Sequence, residues 1–449
     1  MQGYVDVSDE WNSHYFAWLS ESRSDPSADP LIVWLSGGPG CSSSLAMFGE
    51  NGPCTYKPDG TGTVYNPFSW NSKANLMFID QPAGVGYSYA DRGGYSHNET
   101  QVGEFMVAFF TGFYKKYPQF ANNPLYMACE SYGGHYCPAT TYALLQSNKL
   151  AGTDFPIKGM AIGSGLVDPA AQYPTYPAFV HDWCIEKLGR PCVDQSGYES
   201  MVAASPKCSE LIAQCQVNTS ACEPAKHFCN AAMLGPYDAT GFNPYGEVGT
   251  IAARRCTSLL SASAFPQARC CFVAIAFDQS FGRPRLADIR SKCEIPPMCY
   301  NFTGLTSFLN LESTKKAIGV EGHDWAPCNS QVYTDFDSDW MKNMAWTVPP
   351  ILEADIRVWI YSGDVDFIVQ WIGNQAWTES LEWSGAKGYN ATVLKPWTWN
   401  GKYAGEHRSF GGLSFTTVSN AGHLAAHDQP ESTLGMINAF ISGQPLPTA

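Results

Sequence analysis

The chain has 449 residues, with 41 Asp and Glu against 27 Lys and Arg and a formal net charge of -14; its pI is near 5.0. Nothing in it forms a basic stripe, so a nucleic-acid-binding surface is excluded. Hydrophobic residues at 45% and aromatics at 14% provide core for one large domain with an insertion, or for two domains.

No apolar run is long enough to span a bilayer, so no membrane association is expected. Sixteen cysteines are too many for a reducing compartment unless they bind metal. No C-x-x-C occurs, so neither a metal nor a cofactor is expected. Four glycosylation sequons begin at Asn98, Asn218, Asn301 and Asn390. Together with the cysteines they predict passage through the secretory pathway, to the exterior or to a vacuole or lysosome. The opening Met1-Gln-Gly-Tyr carries no charged and apolar leader, so a signal segment is expected to be absent from this sequence.

Tyr15 to Leu19 alternates loosely. After the turn at Ser24 to Pro30, Leu31 to Leu35 is apolar on both faces, as a buried parallel strand would be. It opens into Ser36-Gly-Gly-Pro-Gly-Cys-Ser-Ser43, a glycine run whose bare N-H groups suit an anion or an oxyanion, or which is a plain tight loop. No Gly-Lys-Ser/Thr follows, so it is not a phosphate loop. Leu76 to Asp80 predicts a second buried strand. Val102, Phe105, Met106, Phe109, Phe110 and Phe113 recur at three-and-four spacing and predict an amphipathic helix from Gln101 to Tyr117, stopped by Pro118.

Leu125 to Cys129 predicts a strand that breaks at Cys129-Glu-Ser-Tyr-Gly133 and passes into a helix through Ala139 to Leu145. Strand, sharp turn and helix, with small residues flanking Ser131, is the form of a nucleophile elbow, although Cys129 stands where the usual pattern has its first glycine. A serine on such a turn can equally be an N-cap. Gly159 to Ile162 predicts a further short strand, so the first third of the chain reads as a mainly parallel sheet covered on both faces. From about Pro174 the texture changes to cysteine-rich, weakly periodic sequence, predicting a disulfide-rich insertion over 174–297 between two parts of one core, 1–173 and 298–449. The sheet pattern resumes at Ile356 to Tyr361, ending in Ser-Gly-Asp-Val-Asp366, and at Leu413 to Val418, ending in Ser-Asn-Ala-Gly-His423. Pro430 and Gly443 bracket a last helix built on Leu434, Ile437 and Phe440.

Three strand ends thus carry Ser131, an aspartate and His423, in the chain order of the α/β-hydrolase triad. A hydroxyl nucleophile needs a base ionising near neutrality, and an imidazole needs a carboxylate to hold its tautomer and stabilise the imidazolium.

The chain resembles the serine carboxypeptidases over nearly its whole length. The matching residues are Trp34 to Ser43, Asp80-Gln-Pro-Ala-Gly-Val-Gly-Tyr-Ser88, Glu130-Ser-Tyr-Gly-Gly-His-Tyr136, Gly363-Asp-Val-Asp366, and Ala421-Gly-His423 with Asp428-Gln-Pro430. The resemblance implies an α/β-hydrolase fold with Ser131 as nucleophile, Asp366 as the carboxylate and His423 as base. It implies Gly38 and Tyr132 as backbone donors of the oxyanion hole. It also implies disulfides Cys41–Cys328 and Cys293–Cys299. The family's grip on a substrate's terminal carboxylate falls here on Ser36, Gly37, Glu50 and Glu130, with Ser36 standing where the family has asparagine. Peptide or protein C-termini are then the expected substrates, released through an acyl-enzyme and favoured at acidic pH; acyl transfer or esterase action is the alternative on the same scaffold.

Overall fold

The computed structural model describes residues 1–91, 93–245, 293 and 299–448. The strands, in chain order, are β1 (Gln2–Ser8), β2 (Ser13–Ser20), β3 (Leu31–Leu35), β4 (Cys54–Tyr56), β5 (Thr63–Tyr65), β6 (Asn75–Asp80), β7 (Leu125–Glu130), β8 (Ile157–Gly163), β9 (Arg357–Gly363), β10 (Lys395–Trp399), β11 (Lys402–Phe410) and β12 (Leu413–Val418). Ten of them form one sheet in the order β1-β2-β6-β3-β7-β8-β9-β12-β11-β10, and β4 and β5 pair separately. The pairings from β6 across to β12 are parallel. Both flanks are antiparallel.

Every residue of β3, β6 and β7 is buried, the signature of strands covered on both faces. Their side chains alternate between two cores, with Leu31, Val33 and Leu35 on one face and Ile32 and Trp34 on the other. The first face packs against α2 (Glu99–Lys116), whose Val102, Met106, Phe109, Phe110 and Phe113 are buried. The second packs against the last helix, Pro430–Ser442, through Met436, Ile437 and Phe440.

The predicted central strands and helices therefore lie where the periodicity put them. Three strands on the antiparallel flanks of the sheet escaped the pattern. Strand β1 buries only Val5 and Val7, and β10 and β11 are half exposed, so their apolar content is too thin to stand out. The region read as weakly periodic holds a long helix, Gln195–Val217, followed by Cys222–Met233. The buried positions of the first are Met201, Cys208, Ile212 and Cys215, so half of its apolar stripe is cysteine. Disulfides Cys208–Cys229 and Cys215–Cys222 staple the two helices together, and Cys184–Cys192 closes the segment before them. The stretch of the expected insertion from 246 to 292 and from 294 to 297 lies outside the described residues. Among the described residues, no helix is long and apolar enough to cross a membrane.

Candidate active site

Strand β7 runs into Ser131 and out through α3 (Gly133–Leu150). Ser131 has φ +63°, a left-handed conformation that a non-glycine residue adopts only when its surroundings impose it. Here Ser131 N donates to Gly163 O at 3.1 Å, and Ser131 O accepts from Gly134 N at 2.9 Å and Leu166 N at 3.0 Å. The two glycines that follow are sterically required. A Cβ on Gly133 would lie 2.9 Å from Leu35 O, and one on Gly134 would lie 2.5 Å from Leu166 O. Cys129, in the place of the usual first glycine, is disulfide-bonded to Cys137 on α3. That bond closes a ring containing Glu130, Ser131 and Tyr132.

Because β9 and β12 are parallel neighbours, the loops that follow them emerge at the same edge of the sheet. There His423 Nδ1 meets Asp366 Oδ2 at 2.8 Å, with both side chains buried. Asp366 Oδ1 also accepts from Val369 N at 3.4 Å. Asp364 has other work: it pairs with Lys187 Nζ at 2.5 Å and accepts from Asn420 N at 2.7 Å. The second ring nitrogen of the histidine, Nε2, is buried with no hydrogen-bond partner among the described residues, so the Ser131–His423 hydrogen bond is not made in this state. An open Nε2 is the arrangement a base needs before it takes a proton, and such bonds commonly tighten only with substrate bound. His423 N donates to Tyr245 O at 2.7 Å, and the Tyr245 ring stands edge-on to the imidazole at 5.3 Å. Tyr245 comes from the inserted segment, and no local signal in the sequence singles it out.

The glycine loop sits directly on the elbow. A side chain at Gly37 would run into Tyr132 N, Glu130 O and the Ser131 Cβ, so only glycine lets the backbones come this close. Gly38 has φ +110°. The far side of the loop is tied by the Cys41–Cys328 disulfide and by buried Asp80. Asp80 accepts from the Ser42 hydroxyl at 2.5 Å and from Tyr87 N at 3.1 Å. Ser42 in turn accepts from Trp325 Nε1 at 3.0 Å. Burial raises the Asp80 carboxyl to about 6 even so. Asp80 was visible in the sequence as the polar end of a buried strand; its anchoring role depends on Ser42 and Trp325, which are remote from it.

Ser36, Glu50 and Glu130 are all buried. The Ser36 hydroxyl accepts from Trp34 Nε1 at 3.1 Å and keeps its own proton available as a donor. Glu50, at the C-terminal end of α1 (Ser44–Gly49), is hydrogen-bonded through its carboxyl to that of Glu130. Burial, the largest cause, raises Glu50 to about 8. Burial and then the Glu50 charge push Glu130 well above the usual carboxylate range. Two buried carboxyls in hydrogen-bond contact share a proton because neither can ionise cheaply beside the other. Asp428 adds to the cluster: it accepts from Gly422 N at 2.7 Å, pairs with His427 Nδ1 at 3.0 Å and is itself raised, chiefly by burial.

Of the other predicted positions, Cys293 and Cys299 are disulfide-bonded. Asn218, Asn301 and Asn390 are exposed, and Asn98 is half-buried at the N-terminus of α2, where its side chain accepts from Gln101 N. Among the described residues Glu223, His227 and Asp337 lie close enough to share a metal ion, but Asp337 already pairs with Lys226 Nζ at 2.5 Å.

A family model described as serine carboxypeptidase matches residues 1–443. Carboxypeptidase Y of Candida albicans is 37% identical to this chain over 447 residues, covering 98% of this chain and 73% of that protein. Carboxypeptidase Y homolog A of Sclerotinia sclerotiorum is 38% identical over 449 residues, covering 98% and 72%. Among solved structures, Kex1(delta)p, a prohormone-processing carboxypeptidase from Saccharomyces cerevisiae, superposes with a TM-score of 0.77 at 22% identity, covering 98% of this chain and 90% of that one. At that identity the superposition speaks for the fold, an α/β-hydrolase sheet, and for nothing finer.

Proposed function

Since the chain belongs to the serine carboxypeptidase family, we propose that Ser131, His423 and Asp366 carry its reaction and that Glu50 and Glu130 choose the bond. The enzyme is a serine-type carboxypeptidase, and its substrates are peptides. In the proposed cycle Ser131 Oγ attacks the carbonyl carbon of the last peptide bond while its proton passes to His423 Nε2. Asp366 holds the Nδ1 proton and stabilises the imidazolium. The negative oxygen of the tetrahedral intermediate is received by the N-H groups of Gly38 and Tyr132. Collapse breaks the C–N bond, and the leaving amino group takes the proton from Nε2. Water then repeats the sequence on the acyl-enzyme, returning the proton to Ser131 and freeing the shortened peptide.

The observation that carries the specificity is the buried Glu50–Glu130 pair beside the elbow. A terminal carboxylate can enter such a site only if the pair brings a proton to it, and a neutral carboxyl then donates to the incoming anion. Gly37 N-H and the Ser36 hydroxyl complete the grip, with the shorter serine contributing one donor where an amide offers two. The requirement for that proton favours acidic and neutral pH over alkaline. The test compares a blocked dipeptide bearing a free C-terminus with its C-terminal amide. The free acid is expected to be hydrolysed at least about 100-fold faster, given about 1.5–3 kcal/mol for each charge-assisted hydrogen bond; equal turnover would refute the assignment of Glu50 and Glu130.

The six disulfides among the described residues support synthesis in the secretory pathway, for delivery to the exterior or to a vacuole or lysosome. Glycans on Asn98, Asn218, Asn301 and Asn390 are part of the same reading.

A further inference from the structure

A second cleft lies on the face of the molecule where α2 and α3 meet the segment 339–347. Its volume is about 950 Å³, within the range of small-molecule sites. On α3 it is lined from Ala139 to Leu150, beginning two turns beyond the elbow and running away from it.

Glu99 is part of the cleft lining and is only 4% exposed. Neither of its carboxylate oxygens has a hydrogen-bond partner among the described residues. An unpartnered buried carboxyl is costly, and in a cleft open to small molecules the residue that lacks a partner defines what the cleft lacks. The neighbouring groups narrow the answer. Asp339 lines the same cleft, but its Oδ2 accepts from the Tyr132 hydroxyl at 3.2 Å. Glu104, exposed at the rim, adds a further negative charge. Lys342, the cation of the lining, donates from Nζ to Cys215 O at 2.6 Å. Three carboxyl groups thus face one cation, whose charge also favours ionised Asp339. The lining also holds two aromatic side chains, Tyr142 and Trp346, which meet edge to face at 5.1 Å, and Trp346 is 56% exposed. Carboxyl groups and aromatic rings in one lining suit a positive charge on an apolar body.

We propose that this cleft binds an organic ammonium ion carrying an aromatic or alkyl group, with Glu99 as its counter-ion and Tyr142 and Trp346 covering its apolar body. An anion is disfavoured by the carboxylates of Glu104 and Asp339, which outnumber Lys342. A neutral apolar molecule would leave Glu99 unpaired. The ammonium could be a free amine or the side chain of a basic peptide, and the chemistry of the site is the same for both.

Binding should be linked to protons. Burial first, and then the charge of Asp339, push the Glu99 carboxyl well above its ordinary range, so without ligand it holds its proton. The groups facing it are Asp339 and Lys342 from the 339–347 segment, the Tyr132 and Tyr136 hydroxyls from the elbow and α3, and Glu104 on α2. Both tyrosines stay neutral, and Asp339 lies at about 6, so its ionisation adds to the attraction over the same interval. A cation pairs with ionised Glu99, and affinity must then rise with pH until Glu99 ionises on its own.

The test is calorimetric titration of the whole protein with benzylamine, with benzyl alcohol as the neutral control. At neutral pH benzylamine is expected to bind at least about tenfold more tightly than the alcohol, and its affinity to rise with pH, by up to about tenfold per unit, over the range in which unliganded Glu99 still holds its proton. Glu99→Gln should weaken benzylamine about tenfold or more and reduce the pH dependence to the part that Asp339 contributes near pH 6. Trp346→Ala, at an exposed position where folding is not at issue, should weaken it about threefold to tenfold. Blocked lysine amide distinguishes the sources: binding with the same Glu99 dependence means that peptide side chains enter, and failure to bind while benzylamine binds means a free amine. Equal affinity for amine and alcohol, pH-independent binding, or unchanged binding in Trp346→Ala would each overturn the proposal.

Discussion

Replacing Glu130 by glutamine tests the link between the buried acid pair and the choice of substrate. Glu50 rises from 4.5 to about 8 chiefly through burial. At about 1.4 kcal/mol per tenfold, that preference for the proton is on the order of 5 kcal/mol. The sign follows from the direction of the shift. A carboxyl raised in the folded enzyme keeps its proton below the unfolded value, and the benefit is lost as pH climbs through the folded one. The native kcat/KM on a blocked dipeptide with a free C-terminus should therefore be level at acidic pH and fall about tenfold per pH unit on the alkaline side of about pH 8. The fall should reside in KM, because the pair acts on a carboxylate that is bound alike in the ground and transition states. The glutamine amide offers an N-H donor that no base removes, and it leaves Glu50 without a second carboxyl with which to share a proton. The Glu130→Gln enzyme should lose about threefold to tenfold at acidic pH, corresponding to roughly 1 kcal/mol for one altered hydrogen bond, and its alkaline limb should flatten. The assay is steady-state hydrolysis across the pH range, with an ester of the same acyl group as a substrate that has no carboxylate to bind. An alkaline limb in Glu130→Gln parallel to the native one, or a native limb that resides in kcat, would refute the reasoning.

Asp366→Asn should leave KM within about threefold and lower kcat by three to four orders of magnitude, since the amide cannot hold the imidazole in the tautomer that leaves Nε2 free; stopped-flow acylation with an activated ester reads this directly. Asp364→Asn, by contrast, should cost at most about 1 kcal/mol of stability through the half-exposed Lys187 pair and leave kcat unchanged. Ser42→Ala removes the hydroxyl shared by Asp80 and Trp325 and should destabilise the enzyme by about 2–4 kcal/mol in urea, with a loss of kcat as the glycine loop loosens; stability within about 0.5 kcal/mol of native would show that the network holds nothing. The Cys129–Cys137 bond spans eight residues, for which chain entropy predicts about 2.5 kcal/mol. A Cys129→Ala/Cys137→Ala variant of undiminished stability, or a peptide map of the unreduced protein with both thiols free, would count against it.

The elements of the central sheet were legible because each is an unbroken apolar run: β3, β6 and β7 are buried at every position and need no partner to be seen. The amphipathic stripe of α2 and the strand-turn-helix around Ser131 are local in the same sense. The flanking strands β1, β10 and β11 were hidden because many of their side chains are exposed or only half-buried. The long helix Gln195–Val217 was hidden because cysteines fill its buried positions.

What only the tertiary structure decided concerns groups that meet across the chain. Sequence pattern alone reached Ser131, His423 and an aspartate after β9, but Asp364 and Asp366 stand two residues apart with the same local character. The fold separates them by turning one toward Lys187 and the other toward His423. Likewise, local sequence shows Glu50 and Glu130 as two acids 80 residues apart, each with an ordinary ionisation. They become one proton-holding pair only when α1 and β7 bring them into contact and exclude water, because burial and a like charge act over ångströms of space and leave no mark on residue spacing. Periodicity is a property of neighbours in sequence, so it determined the strands, the helices and the elbow. The charge state of the site is a property of neighbours in space, and only the folded chain could decide it.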